Sequence, residues 1–132
     1  MSASEAREEL LKQHQRLRHL LAGAEDLARQ VLAGAEVVPV FSGALTVLRT
    51  ELAAHNAAEE AALVPLLRAG DAYGAARVQR MFEEHAGEHA VLLAALDGTP
   101  VVVAGRMAEV AEDLRAHMEA EERTILHPKV LR

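Results

Sequence analysis

The chain contains no cysteine, which removes disulfides, thiolate metal sites and thiol nucleophiles in one step, so any metal must be held by nitrogen and oxygen. Aromatic side chains are almost as scarce. Phe41, Phe82 and Tyr73 are the only ones, and the 51% apolar content comes mainly from Ala, Leu and Val, a mixture that favours helices over sheets. No run approaches the ~20 apolar residues of a membrane span. The N-terminal stretch MSASEAREELLKQ is acidic and polar where an export signal is basic and then apolar, so the expected location is cytoplasmic, with no membrane partner. Basic residues are outnumbered 14 to 20, for a net charge of -6, and that sign repels a phosphate backbone and excludes nucleic acid as a partner. A length of 132 residues predicts a single domain over 1–132, built on one core.

Glycine and proline are concentrated near Gly34 to Pro39, Gly70 to Gly74 and Gly98 to Pro100, and these breaks divide the chain into four long segments. Each segment has an apolar stripe at spacings of three and four, the mark of a helix with one buried face. The predicted fold is all-α, an antiparallel up-down-up-down four-helix bundle. Pro39 is expected to open the second helix, with Ser42 as a rival cap. Thr99 is expected to cap the fourth, with Pro100 in its first turn. Pro65 and Pro128 fall near the ends of helices two and four, where they do not disturb the helix middle.

The stripes turn polar at one level. Helix one reads Leu10, His14, Leu17, Leu21. Helix two reads Leu45, Leu48, Leu52, then His55 and Glu59, then Leu63 and Leu66. Helix three reads Val78, Met81, then His85 and His89, then Leu92 and Leu96. Helix four reads Met107, Val110, Leu114, then His117 and Glu121, then Ile125. An internal repeat underlies the pattern. Leu52-x-x-His55-x-x-x-Glu59-Glu60 matches Leu114-x-x-His117-x-x-x-Glu121-Glu122, and His14 is followed by Leu17 and Leu21 as His89 is by Leu92 and Leu96. The chain therefore looks like two helical hairpins, each bringing half of one site.

Residues four apart on a helix lie only about 40° apart around its axis, so three pairs of donor groups face one another across the core. An ionised carboxylate in an apolar core costs several kcal/mol unless it is paired or binds a metal. Arg49, Arg68, Arg80 and Arg115 fall on other faces, which leaves a multivalent cation to supply the missing charge. His19 and His127 fall off the stripes and read as surface residues. Glu60 and Glu122, about 100° from the buried face, read as solvated. Two carboxylates among five imidazoles suit a pair of iron ions, because bridging carboxylates let two octahedral centres share ligands and leave a position open. Zinc and manganese accept the same ligand types, although seven donors exceed the four that zinc usually takes.

At this point the chain resembles the hemerythrin-like family, the HHE cation-binding domains, over nearly its whole length. The resemblance rests on one His in helix one, His-x-x-x-Glu in helix two, two His in helix three and His-x-x-x-Glu in helix four. It implies two non-haem iron ions (Fe2+/Fe3+) with an oxo or hydroxo bridge. His85, His89 and His117 would hold one ion and His14 and His55 the other, with Glu59 and Glu121 bridging. The exogenous ligand would sit on the second ion. It implies a small-molecule ligand, O2 or a related oxidant such as peroxide or NO, and no particular protein partner. Oxygen carriers of the family have an Asp five residues after the helix-four His. Here Glu121 stands at four and Glu122 at five, and few aromatics are available near the site. The resemblance therefore extends equally to peroxide-decomposing, catalase-like enzymes and to iron- or redox-responsive sensors. No catalytic residue stands out, since no Tyr, Lys or further buried acid offers itself as a proton donor. Leu17, Leu52, Leu92 and Leu114 are expected to keep the site dry, which slows loss of protons and superoxide.

Overall fold

The computed structural model describes all of residues 1–132 and contains helices but no strand. Helix α1 runs over Ala3–Leu32 and starts where the Ser2 hydroxyl accepts the Glu5 amide at 3.1 Å, a side-chain cap for one of the free amides of the first turn. Gly34, at φ 85°, turns the chain out of it, a conformation in which glycine carries no Cβ penalty. Helix α2 covers Val38–Arg68 with Pro39 in its first turn, where the missing amide hydrogen costs nothing. Ser42 is not its cap; the Ser42 carbonyl instead accepts the Thr46 hydroxyl. Pro65 lies inside the last turn of α2.

The third rod of the bundle is not one α-helix. It consists of α3 (Gly74–Glu84), a π-helical turn at His85–His89 and α4 (Ala90–Ala95). Such widened turns concentrate at functional sites, and this one is bounded by the two histidines of the rod. Helix α5 covers Pro100–Arg123. Thr99 occupies its N-cap position, but the Thr99 side chain makes no capping hydrogen bond.

The helices pack as a ring, α1 against α2 and α5, α2 against α3, and α4 against α5, as short connections between antiparallel neighbours require. The buried stripes match the periodicity with three shifts, one of them on α5, where Met118 is buried and His117 only half-buried. Leu67, four residues after Leu63 on α2, is buried in place of Leu66. Leu126 is buried in place of Ile125 because α5 ends at Arg123 and the following turns reset the phase. This tail folds back under the bundle. Arg7 donates from Nε to the Leu126 carbonyl at 3.0 Å and from a second guanidinium nitrogen to the Leu131 carbonyl, with Leu126 and Leu131 both buried.

The core is split in two. Eighteen buried residues, including Leu17, Leu21, Phe41, Leu52, Leu92, Leu114 and Met118, form one cluster. Seven, Leu10, Leu63, Leu67, Val78, Met81, Leu126 and Leu131, form the other. On α1, His14 lies between Leu10 of one cluster and Leu17 of the other; on α2, His55 and Glu59 lie between Leu52 and Leu63. A polar layer therefore divides the bundle nearer the end that the C-terminal tail closes.

Candidate metal centre

Four side chains meet at the middle of that layer. His14, His55, Glu59 and Glu121 are all buried and offer ligand atoms within 4.8 Å of one another. His55 Nε2 lies 2.8 Å from Glu59 Oε2, and His14 Nε2 lies 4.0 Å from Glu121 Oε1. The other oxygen of Glu59 is 3.2 Å from His85 Nε2. The imidazoles form two groups. His14 and His55 have ring centroids 4.8 Å apart; His85 and His89 are also 4.8 Å apart, and His89 and His117 5.3 Å. Glu59 thus places one oxygen against each group. His89 is buried, the His85 side chain is 8% exposed, and that of His117 is 23% exposed.

Each ring is fixed from behind. His14 Nδ1 donates to Glu122 at 2.6 Å, His55 Nδ1 to the Gln13 amide oxygen at 2.8 Å, His85 Nδ1 to Glu60 at 2.7 Å and His89 Nδ1 to the Asn56 amide oxygen at 2.7 Å. His117 Nδ1 lies 3.1 Å from Glu88. With Nδ1 hydrogen-bonded in His14, His55 and His89, Nε2 is the nitrogen left to donate its lone pair, the arrangement by which an acceptor behind a histidine selects the tautomer a metal requires. His85 also turns its Nε2 to Glu59. Glu122 is itself held by Arg18 at 2.9 Å.

Glu60 and Glu122 are therefore not the solvated residues their helical angle suggested. About 100° from the buried face of a bundle helix is the flank facing the next helix, so Glu60 meets His85 on the third rod and Glu122 meets His14 on α1. The repeat held a usable signal. The acceptors are chain neighbours of the inward residues: Glu60 and Glu122 follow Glu59 and Glu121, while Gln13 and Glu88 precede His14 and His89. His19 is exposed, and His127 accepts the Lys129 amide in the tail.

The electrostatics fit a cation site. With both carboxyls ionised, four buried side-chain atoms have no hydrogen-bond partner: His14 Nε2, His55 Nε2, Glu59 Oε2 and Glu121 Oε2. His55 and Glu59 are close but lack the alignment of a hydrogen bond. Unpaired buried polar atoms cost about 1–3 kcal/mol each, and four of them in one cluster form the donor set of a cation site. Burial, then the shared hydrogen bond and the charge of Glu59, push the Glu121 carboxyl far above the usual range. For Glu59 burial acts upward too, but the hydrogen bond from Glu121 and the imidazoles of His55 and His85 outweigh it and hold that carboxyl low. In the absence of metal the two carboxyls share one proton, as close carboxyl pairs must. Burial lowers His14, and burial together with His85 lowers His89 to about 4, so both rings are neutral at pH 7, as ligation demands. Burial would also lower His85, but Glu59 and Glu60 prevail and raise it.

The family model described as the hemerythrin HHE cation-binding domain matches residues 5–129, and the chain belongs to this family. No curated protein and no solved structure matches it. The helical fold and the buried His/Glu cluster are those of a cation-binding domain of that family.

Proposed function

We propose that this member of the hemerythrin family holds two non-haem iron ions within residues 1–132, working as a single cytoplasmic domain, and binds O2 or a related small oxidant at a position its side chains leave open. The observation that carries this reading is the donor set itself. Five imidazoles tied back through Nδ1 surround two buried carboxylates, and four of the atoms in this layer lack any partner. His85, His89 and His117 would hold one ion, His14 and His55 the other, and Glu59 and Glu121 would serve both. Seven donors are more than a closed zinc site uses, whereas two ions that share carboxylates use them all. When bound, the two irons would supply the electrons that a small oxidant accepts.

The protein's own part is orientation and exclusion of water. Glu122, Gln13, Glu60 and Asn56 fix ring rotation and tautomer, so that the donors need no rearrangement when metal enters. Leu17, Leu52, Leu92 and Leu114 are all buried and close the layer on the side of the larger core, which keeps bulk water from the reacting position. Leu10 and Leu63 do the same from the smaller core.

Metal analysis and the visible spectrum of aerobically purified protein test this reading, with Glu59→Ala alongside. The expected result is two irons per chain and near-ultraviolet bands of a bridged pair, both lost in the variant. Zinc alone, or no metal after anaerobic iron loading, refutes it.

A further inference from the structure

One cavity reaches the polar layer from outside. It has a volume of about 340 Å³, lies among α3, α5 and the C-terminal tail, and has His117 and Glu121 in its wall. His14 and His55, on the other side of the layer, are 0% and 3% exposed. This cavity therefore meets the layer at His117 and at Glu121, which itself lies 4.0 Å from His14, whereas the family resemblance would place an exogenous ligand on the two-histidine side.

We propose that this cavity binds a small organic anion, a carboxylate with a short apolar body, against the His117–Glu121 edge. The size argues for more than a diatomic gas. At about 30 Å³ per water the cavity has room for roughly eleven, and it falls at the lower end of the ~300–1,000 Å³ range of small-molecule pockets. Met81, Ile125 and Val130 supply an apolar wall. Arg77, Arg80 and Arg123 also line it, against Glu84 and Glu121, in a chain whose net charge is -6.

The three arginines are not equally free. Arg77 is held by Asp71 and lies over the Tyr73 ring at 5.6 Å. Arg80 pairs with Glu84 one turn on, with its own side chain 81% exposed, and such exposed pairs contribute little and exchange readily. Arg123 pairs with no carboxylate. A planar guanidinium with unspent donors beside an apolar wall is matched by a carboxylate with an alkyl tail, since the fork pairs both carboxylate oxygens and the tail covers the wall. The proposal rests on the metal-centre reading only for what lies at the cavity wall. The arginine and apolar surfaces are there without metal.

Calorimetric titration of acetate, hexanoate and 1-hexanol tests the proposal, using protein as purified and after chelation, with NMR line widths of hexanoate as a second readout. Hexanoate should bind more tightly than acetate and about tenfold more tightly than 1-hexanol. Arg123→Ala should remove about that tenfold, the equivalent of one charge-assisted contact, and Arg123→Lys should restore part of it. Hexanoate resonances should broaden beside paramagnetic iron and sharpen on chelation while calorimetric binding persists. Equal binding of 1-hexanol, indifference to Arg123→Ala or no saturable binding overturns the proposal. Binding that vanishes on chelation overturns it too, since the anion would then sit on metal alone. Selective, Arg123-dependent binding to protein that never takes up iron would instead uphold the cavity and sink the di-iron reading.

Discussion

Glu121→Gln should stabilise the metal-free protein while it impairs metal uptake. At pH 7 the unfolded chain carries Glu121 as a carboxylate, with an ordinary value of 4.5, whereas the folded chain without metal holds it protonated beside Glu59. Folding must therefore take up a proton. The cost is set by the gap between pH 7 and 4.5, at about 1.36 kcal/mol per unit, or about 3.4 kcal/mol. The figure does not depend on how far above 7 the folded value lies. A folded value raised above the unfolded one means that the stabilising protonated state costs nothing below pH 4.5, and that stability is lost as pH rises. Glutamine keeps the shape, donates permanently to Glu59 and needs no proton. In chelator-stripped protein the variant should gain about 3 kcal/mol at pH 7, roughly 10 °C in melting temperature. The gain should shrink to near zero by pH 4.5. Urea unfolding of both proteins at several pH values measures it. A gain that is absent at pH 7, or that does not vary with pH, refutes the shared-proton account of the layer. With iron present the order should reverse, because the variant has lost an anionic donor.

The remaining predictions concern the shell, the titration of the rings and the backbone. Glu122→Gln removes the anion behind His14 and should lower metal affinity about 10- to 100-fold, read by competition with a chromophoric chelator; unchanged affinity would mean that the 2.6 Å contact does nothing for ligation. In stripped protein, His89 is depressed from 6.5 to about 4, so its stabilising neutral form is fully present above pH 6.5 and is lost as pH falls toward 4. The stability difference between stripped wild type and His89→Asn should shrink by up to about 3 kcal/mol over that window, and a constant difference in urea midpoints would contradict it. Gly74→Ala places a Cβ 1.8 Å from the Leu67 carbonyl oxygen, so α3 must move away from the end of α2, at about 1–3 kcal/mol. Thermal melts read that loss, and a wild-type melting temperature would show that the corner yields freely.

Much of this protein is legible in its amino-acid sequence. The stripes of Leu10 to Leu21, Leu45 to Leu63, Val78 to Leu96 and Met107 to Leu114 report one buried face per helix, because the angle between residues on a single helix follows from its 3.6-residue turn. The same arithmetic puts the His and Glu residues on that face, and charge balance in an apolar core makes a cation their natural partner. Tertiary structure decides everything that depends on which neighbour lies across a gap. Glu60 and Glu122 occupy flanks whose angle is the same whether they meet water or an imidazole, and only the packing of α2 on α3 and of α5 on α1 makes them acceptors for His85 and His14. The π-helical turn at His85–His89 interrupts the α-helical periodicity of the third rod. The cavity that His117 and Arg123 both line is formed only where α3, α5 and the C-terminal tail come together. A sequence records angles along each helix, whereas contacts between helices depend on distances that no single helix contains.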